Sequence, residues 1–225
     1  MTSRRRSPAP IGATQPPDFD SDPLECIELD GLEERFALED VHIRSVSVAG
    51  AQAGLGRFKR VHLEDVDLCQ SKLRAVELID VKAERVDGAN CDWGGARFKR
   101  STFSDARLTG INLAEAQIEQ VSFRGCKLDY ANFRHSAIKH VSFEDCVLIG
   151  ADFQGASLDS TRFSGCRLAE ADFSKARLAR VDLRGSELSL AGSVLGLGGA
   201  IVDPLQLMEL ARTLAYELGI AVEEI

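Results

Sequence analysis

Two short stretches that lie twenty residues apart, VSFRGC at 121–126 and VSFEDC at 141–146, decide the fold. Around them every fifth residue is large and apolar, as at Leu128, Phe133 and Ile138. The spacing runs without a slip from 38 to 188, and 28 of these 31 positions are Leu, Ile, Val, Phe or Trp. An α-helix repeats every 3.6 residues and a strand every two, so neither explains a period of five. The period indicates one continuous repeat architecture.

The same residue types also recur every twenty positions. Cys126, Cys146 and Cys166 form one such column, and aromatic rings form two more, at Phe103, Phe123, Phe143 and Phe163 and at Phe133, Phe153 and Phe173. Twenty residues are four pentads, so the sequence predicts four faces per coil, with successive coils ~4.8 Å apart. We number the faces by their central core positions: face one on 38, 58 and onward, face two on 43, face three on 48 and face four on 53.

Several pentads carry a further signature. The segments INL at 111–113, ANF at 131–133, ADF at 151–153 and VDL at 181–183 resemble the A(D/N)LXX motif of the pentapeptide-repeat family. The resemblance implies an all-β solenoid, a right-handed quadrilateral parallel β-helix, here with a C-terminal α-helix. We expect a disordered tail over 1–23, the β-helix over 24–192, and a C-terminal helical cap or dimerisation segment over 193–225.

The C-terminal segment has the signals of a capped helix. Asp203 is a suitable N-cap, Pro204 suits the first helical position, and Gly219 follows the last turn. One apolar stripe contains Leu207, Leu210, Ala211, Leu214 and Leu218, and a second contains Leu205, Met208 and Ala215. Two stripes provide more apolar surface than one packing face requires. We therefore predict that the helix covers the last coil with one stripe and pairs with a second subunit, in a homodimer, through the other. Similar terminal helices join dimers in some members of the family.

No catalytic motif is recognisable, and we expect neither an enzyme nor a cofactor. His42 and His62 fall in one outward column near Glu64 and Asp65, but solvated surface histidines are the simpler interpretation, and no metal site is predicted. The column of cysteines is interpreted as buried small thiols, because parallel side chains ~4.8 Å apart are poorly placed for disulfides.

The chain has the composition of a soluble protein, and we expect it to be cytoplasmic. No apolar run approaches the ~18 residues of a membrane helix, and residues 7–10, Ser-Pro-Ala-Pro, follow the arginines where a signal peptide would be hydrophobic. We expect neither membrane association nor direct binding of nucleic acid.

The charge pattern bears on two candidate functions. Some pentapeptide-repeat proteins imitate DNA and bind DNA gyrase, protecting it from quinolones or other poisons. The net charge of −8 suits such a mimic, but residues 36–190 contain 22 basic and 22 acidic side chains whose sign alternates from coil to coil on face one. The alternative is a rigid rod that binds an unknown protein partner. Face three carries 8 of the 44 rod charges and exposes Tyr130, Val147 and Ile149, with Leu190 nearer the end, as candidate partner-binding residues.

Overall fold

The chain forms a parallel β-solenoid that ends in a helical cap. The computed structural model describes residues 11–19 and 24–223, and every strand pairing within them is parallel. The strands are β1 Glu25–Ile27, β2 Arg35–Arg44, β3 Leu55–Glu64, β4 Glu77–Glu84, β5 Arg97–Ser104, β6 Gln117–Arg124, β7 Ala137–Lys139, β8 Ser142–Glu144, β9 Ser157–Asp159, β10 Arg162–Ser164, β11 Arg177–Ala179, β12 Val181–Asp182 and β13 Ala200–Ile201. A 3-10 helix, Val194–Leu197, and helix α1, Pro204–Glu217, follow the repeats.

Each coil pairs with the next at an offset of twenty residues. On face two Val41 lies opposite Val61, and on face one Phe58 lies opposite Leu78. Faces three and four are held by single bridges with the same offset, such as that between Asn112 and Asn132. The predicted all-β solenoid, with four pentads per coil and a C-terminal helix, is confirmed.

The corners of the coils are left-handed. Non-glycine residues at 21 positions divisible by five, from Asp40 to Arg180, have φ between 47° and 61°. Each such residue turns the chain from one face to the next, which explains why a pentad ends there. L-residues adopt this conformation at a cost of roughly 1–2 kcal/mol. The corners are therefore strained positions, and the core must compensate for them.

The core is a set of stacked side chains in one cluster. The Phe133 and Phe153 rings lie 4.7 Å apart, and the Phe123 and Phe143 rings 5.0 Å apart, in both cases nearly parallel. The thiols of the cysteine column are buried, and each donates a weak hydrogen bond to a backbone carbonyl, as Cys166 Sγ does to Phe143 O at 3.3 Å. The predicted buried thiols are confirmed.

Both ends of the solenoid depart from the twenty-residue step. At the first end Glu25 pairs with Val41, an offset of sixteen, and at the last Val181 pairs with Ala200, an offset of nineteen. The ladder therefore continues past the predicted boundary at residue 192. The tail predicted to be disordered lies partly outside the described residues. In its described part, 11–19, Gly12 N donates a 2.9 Å hydrogen bond to Ser160 O, which differs from the disorder expected there.

Candidate interaction surfaces

Helix α1 is fixed to the last coil by polar contacts. The Asp203 carboxylate accepts hydrogen bonds from the backbone of Leu205 and Gln206, which forms the predicted N-cap. Gln206 is buried, and its Nε2 donates 2.7 Å bonds to the carbonyls of Leu183 and Ser186. Near the other end, Glu217 accepts from Ser193 Oγ and from the backbone N–H of Val194. Neither anchor could be predicted from the sequence, because glutamine and glutamate usually face solvent.

The docked side of α1 differs from the stripe that the sequence predicted. Leu210 is buried and Leu214 is partly buried against the core, whereas Leu207 is 51% exposed and Ala211 is also exposed. In the second stripe Leu205 is 72% and Met208 73% exposed, and Ala215 is half-buried. The helix contacts the last coil through Gln206, Leu210 and Glu217. The apolar stripe that contains Leu207 and Leu218 is therefore only partly buried.

Much of the apolar surface of this end therefore faces solvent. Tyr216 and Leu218 are 84% and 64% exposed, and Ile220 and Val222 continue the exposed series beyond the helix. An apolar groove of about 260 Å³ also opens between the 3-10 helix and α1, lined by Val194, Leu197, Leu207, Leu210 and Leu214 among others. Contiguous exposed apolar surface of this kind marks interaction sites in soluble proteins.

A second candidate surface lies on face three. The Tyr130 ring is 64% exposed and lies over the corner of the next coil, where a Cβ added to Gly150 would meet the ring at 2.8 Å. Val147 and Ile149 flank the buried Leu148 and are half-buried. We call Tyr130, Val147 and Ile149 the face-three patch.

Leu190 does not belong to this patch. It is partly buried against the core and lines a cleft with Val194 and Leu210 at the capped end of the rod. Of the four candidate partner-binding residues, the structure thus brings three together and places Leu190 beside the cap.

The charges of the rod are paired between coils. Arg57 bonds Glu77 at 2.8 Å, Arg107 bonds Asp87 at 2.8 Å, and Arg124 bonds Glu144 at 2.8 Å, in each case across a step of twenty residues. Pairs of this kind follow where the sign of the charge changes between neighbouring coils. Such exposed pairs contribute about 0–1 kcal/mol each, so their main effect is on the sign pattern of the surface.

The two histidines of face two form a stacked pair. His42 lies opposite His62 in the β2–β3 ladder, and their rings are 4.3 Å apart and nearly parallel. His42 Nε2 lies 3.1 Å from Glu64 Oε2, and Cys26 Sγ lies 3.8 Å from His42 Nδ1. The sequence placed Cys26 before the repeats, so this contact could not be predicted. Hydrogen bonds from Arg44 and Arg85 hold the pKa of Glu64 at about 2, and burial lowers the pKa of His62.

Four pentads per coil, left-handed corners and a core of stacked apolar columns define a pentapeptide-repeat β-helix. The family model described as "Pentapeptide repeat region" matches residues 56–133 and 116–191, which together make up more than half of the chain. The chain belongs to the pentapeptide repeat family. No curated protein matches it in sequence.

Several solved structures are similar to the chain. QnrB1, a plasmid-mediated fluoroquinolone resistance protein, is 19% identical over 86% of this chain and 95% of its own, with a TM-score of 0.48. HetL, a pentapeptide repeat protein involved in heterocyst differentiation regulation in the cyanobacterium Nostoc sp. strain PCC 7120, is 19% identical over 75% of this chain and 90% of its own, with a TM-score of 0.36. A pentapeptide repeat protein of the Arabidopsis thaliana thylakoid lumen is 20% identical over 56% of this chain and 72% of its own, with a TM-score of 0.38. These likenesses concern the fold.

Within the described part of the chain, no helix has the length and apolar character that crossing a membrane requires.

Proposed function

We propose that the protein is a non-enzymatic, cytoplasmic rod that binds other proteins and pairs with a second copy of itself through α1. The observation that carries the proposal is the concentration of exposed apolar side chains at one end of a rod whose outer charges are paired. Leu205, Met208 and Tyr216 are each more than 70% exposed, although an isolated domain gains nothing from exposing them. Burying this surface against a second protein removes it from water.

A second copy of the chain is the simplest partner for α1. The helix is held rigidly to the last coil by Gln206 and Glu217, so it presents its open side in one orientation. Two such helices related by a twofold axis would bury equivalent stripes, as symmetric dimers do. We expect a dimer at micromolar concentration, measured by analytical ultracentrifugation of untagged protein.

The test of the dimer uses a double variant, Leu205→Glu plus Met208→Glu. Both side chains are exposed in the protomer, so folding should be retained, whereas the dimer should dissociate to monomers. The face-three variant described next is the matched control and should remain dimeric. A wild-type protein that sediments as a monomer at micromolar concentration would remove the dimer from the proposal.

The face-three patch is the proposed contact for a different protein. Tyr130 supplies an exposed aromatic ring, and tyrosine is one of the residue types enriched at binding hot spots. Val147 and Ile149 supply apolar contact on the neighbouring coil. Binding should be lost in Val147→Asp plus Ile149→Asp and retained in Leu205→Glu plus Met208→Glu. Partners captured by cross-linking to wild type and to each variant should show this difference, and equal capture by both variants would exclude the patch.

The alternative function is that of a DNA mimic, which binds gyrase or another topoisomerase and confers resistance to quinolones or other poisons. Opposite charges pair from coil to coil along the rod, whereas a phosphate backbone presents one sign throughout. The acidic candidates at the C-terminal end are Asp203, Glu209, Glu217, Glu223 and Glu224, of which Glu224 lies outside the described residues. Asp203 and Glu217 already cap helices.

Titration of the purified protein into a gyrase supercoiling assay, with and without a fluoroquinolone, decides between the two functions. Inhibition at micromolar protein, or relief of drug-induced cleavage, would establish the mimic in place of the rod. Unchanged supercoiling and cleavage are expected from the rod that binds other partners.

A further inference from the structure

We propose that His42, His62 and Glu64 form a binding site for a divalent transition-metal ion of the zinc type on face two. One ring nitrogen of each histidine and one carboxylate oxygen of Glu64 lie within 4.8 Å of one another. This cluster is separate from α1 and from the face-three patch. It would give the rod a ligand as well as partners.

The fold itself brings these groups together. Parallel pairing at an offset of twenty sets His42 directly beside His62, and Glu64 follows two residues later on the same side of the strand. The side chains of His42, His62 and Glu64 are 20%, 17% and 13% exposed. They are therefore held in place by neighbours, unlike the solvated histidines that the sequence suggested. Binding of an ion therefore costs little side-chain conformational entropy.

The donor atoms suit a borderline-soft cation. Two imidazoles and a carboxylate are ligands that zinc accepts, and three protein ligands leave a fourth position for water. Cys26 Sγ lies beside His42 Nδ1 at 3.8 Å, which orients the ring so that Nε2 faces Glu64 at 3.1 Å. A partner on the second ring nitrogen is a regular feature of metal-binding histidines.

Charges nearby limit the affinity. Arg44 and Arg85 both bond the Glu64 carboxylate, at 2.8 Å and 2.7 Å, and both must share it with the ion. Metal bonds of about 2.0–2.2 Å require the ligand atoms to approach one another more closely than they do, through rotation of the rings. His62 Nε2 lies 2.6 Å from Glu84 Oε2, and Lys82, which continues the histidine column, bonds the same oxygen at 3.1 Å, so Glu84 competes with the ion for His62. These features predict a micromolar site.

The four histidines of the chain offer a matched comparison for the test. Untagged protein is titrated with Zn²⁺ by calorimetry, for wild type, for His42→Asn plus His62→Asn, and for the control His135→Asn at a distant corner of the rod. We expect one micromolar site per chain in wild type and in the control, and at least tenfold weaker binding in the double variant. Equal affinity in all three proteins, or none in wild type, would overturn the proposal.

A second measurement needs only the wild-type chain and covers the case of a variant that does not fold. Diethyl pyrocarbonate modifies accessible imidazoles, and mass spectrometry locates the modified residues. Saturating Zn²⁺ should slow modification of His42 and His62 several-fold and leave His135 unchanged. Protection of all three histidines alike, or of none, would count against a specific site.

Discussion

Phe133 and Phe153, twenty residues apart in the chain, stack with their centroids 4.7 Å apart and their ring planes 1° from parallel. The separation of the rings equals the spacing of neighbouring strands, so the side chains of the core repeat with the same period as the coils. Phe173 continues the stack on the far side of Phe153, at 4.8 Å. Between residues 133 and 173, face four of the rod is thus filled by a continuous column of three rings.

Truncation in the middle of that column should be costly. Phe153→Ala removes a fully buried ring with a stacked partner on each side, and we expect the free energy of unfolding to fall by about 3–5 kcal/mol. Urea denaturation followed by circular dichroism measures the loss. The control is Phe36→Ala near the first coil, where the ring is only partly buried, and a similar loss there would contradict the argument.

Gln206 should matter more than its residue type suggests. In Gln206→Ala the carbonyl of Ser186 loses the Gln206 donor, at roughly 1–3 kcal/mol for a buried group left unpaired, while the carbonyl of Leu183 keeps the backbone N–H of Ser186. The cap should open first, so amide exchange in α1 should quicken while that of the middle coils is unchanged. Gln117→Ala, on an exposed strand position, is the control and should alter neither region.

Thiol reactivity should separate the cysteines into two groups. Cys26 is exposed and Cys69 is half-buried, whereas the other four are buried, and burial raises the pKa of Cys91 to about 11. Ellman's reagent should therefore modify two thiols per native chain and all six after denaturation. Rapid reaction of more than two native thiols would show that the cysteine column is accessible.

Tyr130 offers a test of the left-handed corners. Its φ is 57°, so Tyr130→Gly should keep or increase stability, because glycine adopts this conformation without strain. Tyr130→Val places a β-branched residue there and should be destabilising. Thermal unfolding of both variants measures the difference. The glycine variant also tests the face-three patch without weakening the fold, and a Val variant as stable as the Gly variant would refute the corner argument.

Asp182 should make the last coil sensitive to acid. Hydrogen bonds from Arg184 hold the pKa of Asp182 below its usual range. The unfolded carboxylate titrates near pH 4, so the contribution to stability is complete above that pH and is lost as the pH falls through the lower folded-state pKa. The unfolding free energy of Asp182→Asn should fall less steeply below pH 4 than that of wild type. Arg184→Gln should behave like Asp182→Asn, and parallel pH profiles for all three proteins would disprove the link.

The repeated part of this fold is predictable and its ends are not. The apolar residue at every fifth position specifies the coil locally, and repetition reinforces it, so Phe133 and Cys146 could be placed in the core from spacing alone. Gln206 and Glu217 belong to no repeat. Their burial depends on unpaired backbone groups of the last coil, which no periodicity reports.

The candidate sites follow the same division. Tyr130, Val147 and Ile149 could be assigned to one surface, because outward positions are as regular as inward ones. Leu190 lies beside the cap because the chain leaves the repeat just beyond it. The contact between Cys26 and His42 was missed because β1 joins the ladder at an offset of sixteen residues.

The contacts of residues 11–19 also bear on how the rod unfolds. In a solenoid each coil touches only its neighbours, so unravelling from one end need not disturb the other. Here Gly12 bonds Ser160 while Phe19 lies 6.3 Å from the His62 ring, so one short segment spans about five coils. Coils that share no direct contact are joined by this clasp, and unravelling that reaches Ser160 or His62 removes one of its two contacts. The clasp therefore favours joint melting of the repeats that it spans.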